Sequence, residues 1–155
     1  MSDERVVAWG AELRAVHRRL RAALDLARET VEDAASAAQP SRDLLLYCRG
    51  FCAALTGHHR GEDRSLFALV LDERPDLAPV VDRLKQDHSM IDHLVGALEH
   101  AVTSGAGRDT VLGHLDGIDA VMENHFRYEE KELVAVLDGV HRPELDRQEL
   151  FGPLA

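Results

Sequence analysis

The sequence predicts an all-α protein, an up-down-up-down antiparallel four-helix bundle with a short C-terminal tail. Apolar residues recur at three- and four-residue steps, and Ala, Leu, Glu, Arg and Asp dominate while β-branched and aromatic runs are scarce. The periodic stretches are interrupted only briefly, near Pro40, Pro75 and Gly105. Four amphipathic helices of about 25 to 34 residues joined by short connections place sequence neighbours antiparallel.

The first helix is expected over roughly residues 4 to 37, where Val6, Trp9, Leu13, Val16, Leu20, Leu24 and Val31 form one drifting stripe that fades before Pro40. Ser41 can cap the second, which carries Leu45, Phe51, Leu55, Leu66 and Val70 to the break at Asp72-Glu73-Arg74-Pro75. Gly57 and Gly61 weaken it locally. Pro79 suits the first turn of the third helix, whose stripe of Val80, Leu84, Ile91, Leu94, Val95 and Leu98 ends at Thr103-Ser104-Gly105-Ala106-Gly107. Asp109 or Thr110 can cap the fourth, which carries Val111, Leu115, Ile118, Met122, Leu133 and Leu137 to Asp138-Gly139, with Pro143 beyond. The last dozen residues have room for one short docked turn.

At 155 residues, 45% hydrophobic, the chain fits a single domain over 1–155. A formal charge of −10 with no basic run repels phosphate backbones and anionic headgroups, so neither nucleic acid nor a membrane surface is an expected partner. The charged start Met1-Ser2-Asp3-Glu4-Arg5 leads into no apolar segment, and a cytoplasmic location is the expectation. Cys48 and Cys52 lie four apart with no distant partner, which reads as reduced, buried thiols.

Nine histidines are the unusual count, and their placement carries the chemistry. Segment His58-His59-Arg60-Gly61-Glu62-Asp63-Arg64-Ser65-Leu66-Phe67 repeats as His125-Phe126-Arg127-Tyr128-Glu129-Glu130-Lys131-Glu132-Leu133-Val134, both reading H-x-R-x-E-acid-base-x-L-apolar. Each preceding helix has one histidine in its apolar stripe, His17 and His88. Residues i and i+4 share a helix face, so His58 with Glu62, and His125 with Glu129, point together into the bundle. Four imidazoles and two carboxylates that can bridge suit a pair of first-row transition ions better than a single ion, and the carboxylates offset the buried charge. The Glu-x-x-His spacing of carboxylate di-iron oxygenases and ferritins occurs nowhere in the chain.

The order His17, His58-x3-Glu62, His88, His125-x3-Glu129 resembles the hemerythrin-like, or HHE cation-binding, family over about residues 17 to 137. The resemblance implies a four-helix bundle with a non-haem di-iron centre: two iron ions, oxo- or hydroxo-bridged, held by those six residues, with Glu62 and Glu129 bridging. Two departures stand out. Oxygen-carrying hemerythrins have a further histidine one turn after the third-helix histidine, where this chain has Asp92, which either leaves a position open or serves as an anionic ligand. They place the last acid five residues after the fourth-helix histidine, which is Glu130 here, so Glu129 and Glu130 compete for that role; the Glu62 repeat favours Glu129. The first departure disfavours simple oxygen carriage and favours reaction with peroxide, or with nitric oxide or oxygen, as the small ligand. The alternatives are a sensing or iron-storage module with the same site, using the acidic surface and Glu149-Leu150-Phe151 as partner contacts, or a metal that only staples the fold.

His59, His93, His100, His114 and His141 read as surface or supporting residues; the wheel turns His59 and Asp63 about 100° away from His58 and Glu62. Asp63 and Glu130 read as solvated acids, Asp87 as a possible partner for a histidine's second nitrogen, Tyr47 as packing, and Tyr128 as close to the ligands.

Overall fold

A computed structural model describes residues 8–33, 42–142 and 144–155; Val6, Pro40, the Ser41 cap, the Leu45 side chain and Pro143 fall outside what it describes. Four long helical rods make the bundle: α1 (Trp9–Asp33), a second rod of α2 (Arg42–Gly61), a π-helical turn (Glu62–Leu66) and α3 (Phe67–Glu73), then α4 (Ala78–Thr103) and α5 (Arg108–Asp138). A 3₁₀ turn, Pro75–Leu77, leads into α4, and a short helix α6 (Arg147–Phe151) closes the chain. No strand occurs among the described residues.

The rods pack as a square, α1 against α2 and α5, and α4 against α2 and α5. Three ion pairs fix the direction of α1 on α5: Arg14–Glu130 at 3.6 Å, Arg21–Glu123 at 2.5 Å and Arg28–Asp116 at 2.5 Å. As the number rises by seven on one helix it falls by seven on the other, so the two run antiparallel with a heptad seam. Arg83 over Tyr128 and Asp87 beside His125 run α4 against α5 in the same sense. The up-down-up-down bundle expected from the sequence is therefore the observed fold.

Its core is the predicted stripes, with Leu13, Val16, Leu20, Leu55, Leu66, Leu84, Ile91, Leu98, Leu115, Ile118, Met122 and Leu133 all fully buried. Val81, not Val80, takes the inward position in α4. Pro79 sits in the first turn of α4 as expected. The cap of α5 is a correction: Gly107, not Asp109 or Thr110, precedes the helix, and Asp109 instead lies in the first turn, where its carboxylate opposes the positive end of the helix dipole. Cys48 and Cys52 are buried and free, and burial raises their thiols to about 11 and about 12.

The C-terminal segment is a structural part of the bundle. Asp146 caps α6 by accepting from the Gln148 amide at 3.0 Å, and Leu150 and Phe151 bury against α2. The segment comes this close because α2 has glycines beneath it. A Cβ on Gly61 would lie 3.0 Å from the Gly152 nitrogen, and one on Gly57 2.9 Å from Pro153. Gly152 itself has φ +86°, and a Cβ there would meet the Gly57 carbonyl at 2.7 Å. Gly57 and Gly61, a weakness in the isolated helix, are what lets α6 dock.

Candidate metal centre

Seven ionisable side chains lie buried midway along the bundle: His17 from α1, His58 and His59 from α2, Glu62 from the π turn, His88 from α4, and His125 and Glu129 from α5. None is more than 2% exposed. They form two groups, His59, Glu62, His88 and His125 in one and His17, His58 and Glu129 in the other, each with one nitrogen or oxygen per residue within 4.8 Å of the rest. The four residues of the repeat, His58, Glu62, His125 and Glu129, are thus brought together with His17 and His88.

The two carboxylates lie between the groups. Glu62 Oε1 is 3.1 Å from His58 Nε2 and 3.4 Å from His88 Nε2. Glu129 reaches His17 Nε2 at 3.0 Å with one oxygen and His125 Nε2 at 3.4 Å with the other. Each glutamate therefore touches one imidazole from either side of the centre, as a carboxylate bridging two cations does.

A ring of outer groups turns the imidazoles inward. His58 Nδ1 donates to the Phe151 carbonyl at 2.8 Å, His88 Nδ1 to Asp63 at 2.8 Å and His125 Nδ1 to Asp87 at 3.1 Å. Protonation at Nδ1 leaves an Nε2 lone pair facing the centre, the arrangement by which supporting groups orient metal-binding histidines. His17 Nδ1 lies 3.5 Å from Glu130 Oε2. His17, with help from Arg21 and Arg14, holds the Glu130 carboxyl below its ordinary range.

Without a cation the interior is electrostatically frustrated. Burial and the neighbouring Glu129 push the Glu62 carboxyl well above its usual range. Burial acts on Glu129 in the same direction but is outweighed by His125 and His17, which hold it well below. Burial lowers His58, and burial with the adjacent imidazoles lowers His59 far more. His88 and His125 are raised: burial opposes the charged ring, but Asp63 and Glu62 overcome it at His88, and Glu129 and Asp87 at His125. The His88 and His125 Nε2 atoms are only 3.1 Å apart, and both Glu62 oxygens, one Glu129 oxygen and His58 Nε2 have no hydrogen-bond partner. Buried lone pairs left without a hydrogen-bond donor are costly unless a cation takes them up, so this donor set fits bound metal.

Several sequence expectations change here. His59 is not a surface residue: it is 2% exposed and its ring stacks on His88 with centroids 3.9 Å apart. Glu62 lies about 40° from His58 and about 60° from His59 on the wheel, between them. Because the rod packs against both α1 and α4, the whole wedge faces inward. Asp63 and Glu130 support His88 and His17, the neighbouring-helix histidine in each half, instead of only facing solvent. Between the competing acids, Glu129 points into the centre and Glu130 lies behind His17. Asp92 is exposed and takes no part in either group. Tyr128 stacks under Arg83, 3.9 Å from the guanidinium to the ring centre, and Leu150 and Phe151 are buried, so they are not free partner contacts. His93, His100 and His141 are exposed.

The fold and the centre define a helical-bundle protein with His/Glu clusters positioned to coordinate metal ions. The family model of the hemerythrin HHE cation binding domain matches residues 11–137, and the chain belongs to that family. Searches of curated proteins and of solved structures give no match. No helix among the described residues is long and apolar enough to cross a membrane.

Proposed function

We propose that the chain is a non-haem di-iron protein that binds small oxidants and consumes hydrogen peroxide, with nitric oxide and oxygen as related ligands. The observation that carries this reading is the pair of buried carboxylates, Glu62 and Glu129, each beside one imidazole from either side of the centre. In this reading His17, His58, His88 and His125 hold the irons and Glu62 and Glu129 bridge them. When bound, an iron pair supplies two-electron redox chemistry to a small ligand.

The chain's own residues supply the rest. Asp63, Asp87 and the Phe151 carbonyl keep a proton on Nδ1 of their histidines, which keeps the Nε2 atoms available and aimed. The two carboxylates reduce the charge that must be buried. Full burial of the centre favours reactants of a few atoms over any larger substrate. Disproportionation of two peroxides to two waters and one oxygen balances without an outside electron donor, so it fits a small domain in isolation.

A second reading is favoured by the Phe151–His58 hydrogen bond, which ties the centre to the C-terminal segment. A ligand that shifts His58 would move α6, as a sensor requires. Metal analysis with an optical spectrum, read before and after a small dose of peroxide, separates the readings. About two irons per chain and a band that changes and recovers while oxygen evolves support turnover, and His58→Ala then loses both. Two irons with no oxygen evolved favour sensing or storage, and manganese in place of iron overturns the iron assignment. No stoichiometric metal overturns the proposal.

A further inference from the structure

The two halves of the centre are related by the internal repeat, and the residue after the motif histidine departs from it in kind. His58 corresponds to His125, Glu62 to Glu129 and Asp63 to Glu130; in each half the second acid supports the histidine of the neighbouring helix. The residue after the motif histidine is Phe126 in one half and His59 in the other. Both do the same packing: Phe126 stacks on His17 with centroids 3.8 Å apart and 9° between planes, and His59 on His88 at 3.9 Å and 14°.

Phe126 shows that a plain aromatic ring satisfies this packing role. His59 adds two ring nitrogens, both buried, and neither has a hydrogen-bond partner among the described residues. Leaving a buried polar atom unsatisfied costs about 1–3 kcal/mol. Phe151, Asp63 and Asp87 orient His58, His88 and His125 through Nδ1, but no described residue hydrogen-bonds His59, whose ring only stacks on His88. One His59 nitrogen nevertheless lies within 4.8 Å of donor atoms of Glu62, His88 and His125.

We propose that His59 is a fifth imidazole ligand, so that one ion is held by three histidines, His59, His88 and His125, and the other by two, His17 and His58. The inference rests on the di-metal reading above and adds that the repeat-related halves bind unlike sites. Because His59 and His88 stack nearly parallel, ligation of one ion by both tilts His59 out of the stack. That is a rotation about χ2, a broad torsion in histidine.

The test uses the full chain and cobalt(II) as the probe. His59→Phe keeps an aromatic ring on His88, as Phe126 does on His17, and removes both nitrogens. Unmutated protein is expected to take up two cobalt ions. The variant is expected to hold one of them at least about tenfold more weakly in chelator competition, with an altered ligand-field spectrum for that ion alone. Equal affinity and an unchanged spectrum would show His59 to be packing and overturn the inference while leaving the di-metal reading intact; failure of unmutated protein to bind cobalt overturns both. A measurement on unmutated protein guards against a variant that does not fold: five paramagnetically shifted imidazole N–H resonances support the proposal and four overturn it.

Discussion

His58 and Phe151 are joined across 93 residues by a 2.8 Å hydrogen bond from the imidazole Nδ1 to a main-chain carbonyl. Because no side chain supplies that acceptor, its position depends on how closely α6 docks on α2, and so on Gly57, Gly61 and Gly152. Gly152→Ala combines a positive φ with a 2.7 Å clash and is expected to lift the segment, at a cost of about 1–3 kcal/mol. Trp9, the single tryptophan, lies with its ring 6.1 Å from Phe151, so its fluorescence should shift to the red. Metal affinity should fall about tenfold with it. A red shift with unchanged affinity would separate α6 docking from the centre.

Asp63, hydrogen-bonded to His88 Nδ1 at 2.8 Å, and Glu130, 3.5 Å from His17 Nδ1, are both expected to tune metal affinity, Asp63 the more strongly. Asp63→Ala frees the His88 ring and Glu130→Ala the His17 ring, and each should lower metal affinity by about 10- to 100-fold without abolishing binding. Both are measured by competition with a chelator. Asp63→Asn retains an acceptor and should recover part of the loss.

The neighbouring acids Glu129 and Glu130 should part company on conversion to glutamine. Glu129→Gln removes a fully buried carboxylate that touches histidines from both sides, and should reduce binding from two ions to one or fewer. Glu130→Gln should keep two ions, with the smaller affinity loss of a supporting group. Metal content after gel filtration distinguishes them, and the reverse pattern would transfer the bridging role to Glu130.

Cys48 and Cys52 set a pH dependence on the alkaline side. Their thiols are raised in the folded protein from 9.0 to about 11 and about 12, so between these values the unfolded chain ionises while the folded one does not. Their contribution is intact below about pH 9 and is lost as pH rises through 11 and 12. Urea denaturation across this range should show stability falling more steeply in unmutated protein than in the Cys48→Ala, Cys52→Ala double variant. Native thiols should resist a disulfide reagent at neutral pH.

Core packing gives a further check. Leu115→Ala, at a fully buried position of α5 away from the centre, should cost about 2–5 kcal/mol by denaturation. Two metal ions should still bind at saturating concentration, because no centre residue depends on that side chain.

The long rods were legible because a stripe such as Leu13, Val16, Leu20 and Leu24 records the helical period directly. His58, Glu62, His125 and Glu129 stand out because the chain states the same ten-residue phrase twice, and His17 and His88 because each is the histidine in the apolar stripe of the helix before one copy. His59 was missed because a wheel measures angle but not how much of a helix its neighbours cover; a rod held by both α1 and α4 turns a wide wedge inward. The roles of Asp63 and Glu130 are relations between helices, which spacing within one helix does not encode. Gly57 and Gly61 read as helix weaknesses until the segment that lies on them was in view. The π turn that begins at Glu62 has no local signal, although such turns often mark functional positions.

The seam of Arg14, Arg21 and Arg28 on α1 against Glu130, Glu123 and Asp116 on α5 joins helices made at different times on the ribosome. His17 and Glu129 are 112 residues apart, so a nascent chain that has not yet released α5 has only one of the two buried glutamates and lacks His125. Until then Arg14, Arg21 and Arg28 lack their α5 carboxylates and His17 has no Glu129. The His/Glu clusters are therefore complete only after translation of α5, and chains arrested before it leave the ribosome without them.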